Sequence, residues 1–366
     1  MTVDAAGQAA PSKYTFDTDI LMLRNSIDPD FRHHYDDWTQ YAPAAVMVGL
    51  KTCGYKGRST WGRMLVSDAF SVAAMAAMVN GVKYSVQRLR PDESAYNSFP
   101  SGHTATAFMT ATMLHKEYEG RSPWFSIGGY TLATLTGVSR VLNNRHWLTD
   151  VLAGAAIGIG SVHLGYFITD KIFKDKQLNP AYEAPVFSYD PDLKHYVASL
   201  YFGRRFIIGE GRDYFTDGTV IRGGSAGLST YIPLHPGVGI TARIGANSLT
   251  YSTGITGCSY DILAGGYYNW HFGKRFEAQA KAMAGAAWTA ERIGVDICAG
   301  IGFGFLLDEN FKINIFADYD AIGSAKGKSY VVEYLFTVNG FGNSVNSQNF
   351  LARFSVHVKA DIWVFS

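Results

Sequence analysis

Charge is scarce in this chain and neither sign prevails. Only 17% of the 366 residues are charged, 32 basic against 31 acidic, for a net charge of +1. No basic excess is available for a polyanion, so nucleic acid is excluded as an expected partner. Cysteine is equally sparse. Cys53, Cys258 and Cys298 are scattered and odd in number, with no CxxC or CxxH pair, so neither a disulfide framework nor a zinc site is expected. They read as small apolar side chains, with a Cys258–Cys298 pair left open. Also missing is an uninterrupted run of about 20 apolar residues, the length that spans a bilayer as a helix. The most apolar stretches, 65–79 and 151–168, are bounded or interrupted by Asp68, Asn80 and His163, and they read as buried helices of a bundle. Met1-Thr-Val-Asp-Ala-Ala-Gly-Gln has no basic segment ahead of an apolar run, so no signal peptide is visible.

Apolar side chains and glycine are abundant. Apolar residues make up 47%, with 39 Gly, 22 Tyr and 23 Phe, a balance that points to membrane contact. A chain of 366 residues exceeds one ordinary core, so two domains are expected. Residues 1–34 read as a polar, weakly structured lead-in, and His33-His34 with Asp36-Asp37 as a solvated helix start. Residues 35–173 carry helical periodicity, with helices near 35–52, 61–82, 102–117, 124–141 and 148–173. Residues 174–193 hold prolines and charges without a period and read as a linker.

From 194 to 366 the period becomes two. In 276–288, Phe276, Ala278, Ala280, Ala282, Ala284, Ala286 and Trp288 share one face, opposite Glu277, Gln279 and Lys281. Similar alternation marks 194–203, 219–234, 237–251, 258–272, 294–307, 311–321, 329–339 and 350–364. Runs this long exceed the usual soluble strand of about five or six residues and suit membrane strands of about nine to eleven. Tight links such as Leu234-His-Pro-Gly, Phe272-Gly-Lys-Arg and Leu307-Asp-Glu-Asn alternate with longer ones, as in transmembrane barrels. Tyr267, Tyr268, Trp270, Trp288 and Trp363 suit interfacial girdles, while His357, Lys359 and Asp361 suit the interior. The Gly-rich stretches 264–266 and 300–304 suit barrel positions where backbones crowd. The fold class is therefore an all-α bundle followed by an antiparallel transmembrane β-barrel of about eight strands. A soluble barrel or sandwich is the competing reading.

Three polar clusters interrupt the helical half: Lys83 to Pro91, Phe99 to His103, and Ser139 to Asp150. Transfer of a phosphoryl group asks mainly for positioning and for neutralisation of its oxygens. Lys83, Arg90 and Arg140 can supply charge, the arginines as planar forks. Pro91 ends a helix at Arg90. Pro100-Ser101-Gly102-His103 opens another, where free N–H groups, a hydroxyl and a glycine form an anion cradle. Of the two imidazoles, His103 and His146, a neutral one can attack phosphorus while the other protonates the leaving oxygen. Asp150, four residues after His146, can hold its tautomer. Each piece alone is an ordinary cap or surface pair. The ordered set is specific.

The clusters KxxxxxxRP, PSGH and SRxxxxxHxxxD resemble those of the type-2 phosphatidic acid phosphatase superfamily, which includes bacterial acid phosphatases and vanadium haloperoxidases, and they match without a substitution. The resemblance covers roughly residues 35–173. It implies a helical phosphatase domain with His146 as nucleophile, His103 as general acid and Asp150 orienting His146. It also implies Lys83, Arg90, Ser101, Gly102 and Arg140 as phosphate ligands, with no metal or cofactor. The expected activity is hydrolysis of phosphate monoesters or pyrophosphate ends of lipid-linked substrates, with membrane lipid as a further partner. A broad-specificity phosphatase on small soluble esters is the alternative, ahead of a haloperoxidase or a non-enzymatic barrel. A linker of some twenty residues reaches at most about 70 Å, too short to join two membranes. The catalytic domain is therefore expected on the periplasmic side of a bacterial outer membrane, with a signal peptide outside this numbering.

Overall fold

Ser101 starts the helix around which the first half of the chain packs. In the computed structural model, which describes residues 16–180, 195–207, 220–251, 256–272, 275–289, 293–306, 312–324 and 327–344, its Oγ accepts from the Thr104 N–H. This caps α5 (Gly102–Tyr118), most of whose residues are buried. Around it lie α1 (Phe16–Ile27), α2 (Asp36–Thr39), α3 (Ala42–Thr52), α4 (Trp61–Val86), α6 (Pro123–Leu142) and α7 (Leu148–Phe173). Met47, Met64, Met109, Met113, Leu114, Tyr118, Val162 and Tyr166 form the core between them. α7 approaches closely because it presents glycine: a Cβ on Gly154 would collide with the Ser101 carbonyl, and one on Gly158 with that of Ala105. The chain divides into two compact units, Met1–Val186 and Phe187–Ser366.

Three expectations for this half need correction. Residues 16–27 are helical, not a weakly structured lead-in, and Asp19 and Arg24 are buried, with Arg24 donating from Nε to the Leu142 carbonyl at 2.8 Å. The start of the linker, up to 180, is folded. Arg63 donates to the carbonyls of Lys174 and Lys176, and Asn179 to that of Gly57. The rest of it lies outside the described residues. Finally, α4 and α7 are not buried bundle helices. Each has 26 residues and is long and apolar enough to cross a membrane, yet only 17% and 39% of their most apolar windows are buried. Leu65, Val72, Phe167 and Ile172 stand on the exposed surface.

The second unit is a closed antiparallel barrel of β1 (His195–Ile207), β2 (Val220–His235), β3 (Val238–Tyr251), β4 (Thr256–Phe272), β5 (Phe276–Trp288), β6 (Ile293–Leu306), β7 (Lys312–Ser324) and β8 (Gly327–Ser344). Residues 329–339 lie within β8, whose pairing with β1 closes the ring. The segment 350–364 lies outside the described residues. Pro236-Gly237 makes the β2–β3 turn, with Gly237 at a φ of 75° that glycine adopts at no cost.

The polarity of this barrel is inverted relative to a soluble one. Leu228, Ile244, Ile262, Ile297, Ile301 and Ile315 are exposed on its outside, whereas Arg243, Asp261, Glu277, Lys281 and Asp318 are buried within. Arg243 meets three carboxylates there, Asp261 at 3.2 Å, Asp318 at 3.1 Å and Asp320 at 3.3 Å, so these enclosed charges are paired with one another. Gly300, Gly302 and Gly304 leave room for Asp318, Phe316 and Asn314.

Aromatic pairs stand at both ends of β4, with Tyr260 stacked on Trp288 at 6.0 Å and Trp270 against Phe272 at 4.8 Å. The ten residue steps from 260 to 270, at about 3.3 Å each and tilted by about 40°, separate them by roughly 25 Å, the height of a membrane barrel's apolar band. Tyr267 is an exception to the girdle expectation, since it is buried inside with Tyr201, Tyr231 and Phe316, and Trp363 lies outside the described residues. The fold is a helical domain followed by a transmembrane β-barrel.

Candidate active site

The three clusters meet at the N-terminal ends of α5 and α7. His146, in the turn before α7, is only 2% exposed. Its Nδ1 lies 2.8 Å from the Ser98 carbonyl oxygen, which can only accept, so Nδ1 carries the proton and Nε2 keeps its lone pair. Asp150 Oδ2 is farther from Nδ1, at 3.7 Å, an electrostatic rather than a hydrogen-bonded contact. Burial pushes the pKa of His146 down to about 4, helped by Arg140 and Arg90 and opposed by Asp150. The ring is neutral at ordinary pH.

Asp150 is fully buried and well satisfied. It caps α7 by accepting from the Trp147 N–H at 2.9 Å, accepts a short bond from Ser98 Oγ, and pairs with Arg88 Nη1 at 2.8 Å. The Asp150 carbonyl takes the Ser101 N–H at 3.0 Å, which ties α5 to α7. Arg88 also reaches Asp17 of α1 at 2.7 Å and lies over the Trp147 ring. Neither Arg88 nor Asp17 stood out in the sequence. Asp17 lies 71 residues from Arg88 and 132 from Thr149, from which it also accepts, and Arg88 sits in a cluster already rich in cations.

The cations gather around the same loop. Lys83 Nζ donates to the Asn97 carbonyl at 2.8 Å, and Arg90 Nε to the Asn97 side-chain oxygen at 2.9 Å. Asn97, which no motif marks, therefore orients both, one residue before the Ser98 that holds His146. Burial lowers the pKa of Arg90; Asp92 opposes this, and the charges of Arg140 and Arg145 add to it. Arg140 is 8% exposed and pairs through Nη1 with Asp36 at 2.8 Å, while its buried Nε has no hydrogen-bond partner among the described residues. An unmet charged donor is costly, and a phosphate oxygen would satisfy it. Burial favours a protonated Asp36, but the hydrogen bond and charge of Arg140 outweigh it and hold the carboxyl below its ordinary range.

His103 opens α5 with Gly102. A Cβ on Gly102 would meet nothing within 4 Å, so there is open space beside the start of α5. Ser101 is buried, and its Oγ serves the cap and Thr104 Oγ1 at 2.9 Å, so only its own proton is left to offer. His103 Nε2 lies 3.0 Å from Asp37 Oδ1. The solvated reading is overturned for Asp36, which is fully buried on Arg140, and holds for Asp37, whose side chain is half exposed while it faces His103. His33, whose side chain does face water, anchors this segment by its backbone to Asn143, in both directions, at 2.8 and 2.7 Å.

The fold and this arrangement together define a two-domain protein with a transmembrane barrel, whose helical half gathers Lys83, Arg90 and Arg140 around a buried, neutral histidine. The description of the PAP2 superfamily matches residues 65–174. Phosphatidylglycerophosphatase B of Bacillus subtilis is 30% identical over 149 residues, which cover 37% of this chain and 70% of that protein. The chain belongs to the PAP2 superfamily. Lipid A 1-phosphatase of Porphyromonas gingivalis is 45% identical over 240 residues, covering 64% of this chain and 53% of that protein, so the chain spans about half of that relative's length. Among solved structures, the attachment invasion locus protein Ail of Yersinia pestis is 13% identical with a TM-score of 0.29, covering 41% of this chain and 99% of Ail.

Proposed function

We propose that the protein is a phosphatase that removes terminal phosphate from a lipid-linked monoester through a phospho-histidine. The observation that carries this is the fixed tautomer of His146: Nδ1 is committed to the Ser98 carbonyl, leaving a neutral Nε2 as the nucleophile. Nε2 attacks phosphorus, the bond to the leaving oxygen breaks, and His103 gives that oxygen a proton. Water then attacks the phospho-histidine, its proton passes to His103, the P–N bond breaks, and phosphate departs. Arg140, Arg90, Lys83 and the α5 N-terminus with Ser101 and Gly102 hold the phosphoryl oxygens. Asp150 braces Ser98 and adds negative charge near the His146 imidazole. No cofactor enters either step.

The names of the two relatives, a lipid A 1-phosphatase and a phosphatidylglycerophosphatase, favour a membrane-borne substrate. So do the exposed apolar faces of α4 and α7. The apolar exterior of the barrel supports anchorage in an outer membrane, with the helical domain in the periplasm.

Release of inorganic phosphate by the protein in detergent micelles tests this. A lipid A phosphate or a glycerolipid phosphate should turn over at least tenfold faster, as kcat/KM, than p-nitrophenyl phosphate. A faster soluble ester would replace the lipid reading with that of a broad-specificity phosphatase.

A further inference from the structure

Two adjacent carboxylates of α2 grip residues from two different clusters. Asp36 holds Arg140 at 2.8 Å, and Asp37 Oδ1 lies 3.0 Å from His103 Nε2. The grip is itself held in place: Asn143 bonds His33 in both directions, Thr39 Oγ1 meets Thr136 Oγ1 at 2.8 Å, and Thr110 Oγ1 donates to the Gln40 carbonyl at 2.8 Å. A lone ion pair at this exposure, 33% for His103 and 49% for Asp37, would contribute little. Here the carboxylate is carried on a segment fixed at both ends, so its position is not free to drift.

We propose that Asp37 is the positioning residue for the general acid: it holds His103 through Nε2 so that Nδ1 carries the proton delivered to the leaving oxygen. The inference rests on His103 being that acid. Through both steps Nε2–H stays on Asp37. Nδ1–H passes to the leaving oxygen as the P–O bond breaks, and Nδ1 recovers a proton from the attacking water. The charged groups that bear on His103 are Asp37 and Asp36 from α2 and Arg140 from α6. Burial and Arg140 disfavour its imidazolium, and the carboxylates offset this only in part. The second oxygen of Asp37 lies 3.8 Å from His34 Nδ1.

The experiment compares Asp37→Asn and Asp37→Glu with the unsubstituted protein on an alkyl phosphate, whose leaving group needs a proton, and an aryl phosphate, which needs it far less. Asp37→Asn should lower the alkyl-to-aryl ratio of kcat about tenfold or more and move the basic limb of the pH profile to lower pH. Asp37→Glu should recover part of both. In a His103→Ala background Asp37→Asn should add nothing. An equal loss on both esters, or the same loss without His103, would overturn the proposal in favour of a structural role. If the unsubstituted protein hydrolyses neither these esters nor a lipid phosphate in micelles, the phosphatase reading fails on its own. The contact is then still tested by the NMR titration of His103, identified by its loss in His103→Ala: it should shift to lower pH in Asp37→Asn, and an unmoved titration refutes the positioning role.

Discussion

His146 donates its Nδ1 proton to the backbone oxygen of Ser98, 2.8 Å away, and not to the carboxylate four residues along the chain. Asp150 acts one contact further back, by accepting from the Ser98 hydroxyl and the Trp147 N–H. In a triad where the carboxylate itself fixes the tautomer, its replacement by the amide costs about 10⁴ in kcat. Asp150→Asn should cost less here, on the order of 10–100-fold, because the carbonyl still selects the tautomer. His146→Ala should lose about 10⁴ or more. Rapid-quench kinetics with a radiolabelled substrate would measure both, and a phospho-enzyme trapped on a residue other than His146 would sink the assignment.

Arg88 joins α1 to the site by pairing with Asp17 and Asp150 at 2.7 and 2.8 Å. Arg88→Ala strands two buried carboxylates, so a loss of about 3 kcal/mol in stability is expected, together with a fall in kcat as the start of α7 loosens. Arg88→Ala with Asp17→Asn should be less destabilised than the sum of the single changes. Thermal unfolding of the helical signal measures this, and strict additivity would mean that the pair is not coupled.

The two histidines set the pH dependence of kcat/KM. His146 must be neutral, and its pKa of about 4 makes the rate rise as pH climbs through that value. His103 must be protonated, and burial lowers its pKa from the ordinary 6.5, so the rate falls as pH rises through a value below 6.5. A bell confined to acid pH is expected for the free enzyme. Stability responds to His146 with the opposite sense from a salt-bridged histidine. The unfolded ring binds a proton near pH 6.5 and the folded ring only near pH 4, so its contribution is complete above 6.5. It is lost as pH falls towards 4, in total about 3 kcal/mol. Denaturation midpoints at pH 7 and pH 4.5 give the comparison.

Ile297 lies mid-strand on β6 with 57% of its surface outside the barrel. In lipid, Ile297→Arg should cost about 2–4 kcal/mol, read as a lower unfolding midpoint in bilayers. On a soluble barrel the same change at an exposed site would be nearly neutral. A variant as stable as the parent in lipid would return the second domain to the soluble class.

Periodicity alone carried much of the architecture into view. Alternation of Glu277, Gln279 and Lys281 with alanine and phenylalanine marks an inside and an outside because strand side chains point to opposite faces. The helical segments emerged for the same kind of reason. What α4 and α7 face did not, since an apolar stripe looks the same whether a neighbouring helix or a lipid covers it. Tyr267 misled in a similar way: an aromatic near a strand end suits a girdle, and only the register shows that it points into the barrel.

The sequence by itself determined the chemical inventory, because oxyanion binding and histidine chemistry demand particular side chains, and the clusters containing Lys83, His103 and His146 state them at close range. The tertiary structure decided how that inventory is wired. Ser98 and not Asp150 takes the His146 proton, Asn97 orients Lys83 and Arg90, and Arg88 braces Asp150. Asp36 and Asp37, which read as a solvated helix start, hold Arg140 and His103 across 104 and 66 positions of chain. Contacts of that separation leave no local pattern, since nothing in the spacing of residues 36 and 37 records which helices will pack beside them. Packing alone turns a pair of acidic residues at the start of a short helix into the partners of an arginine and a histidine.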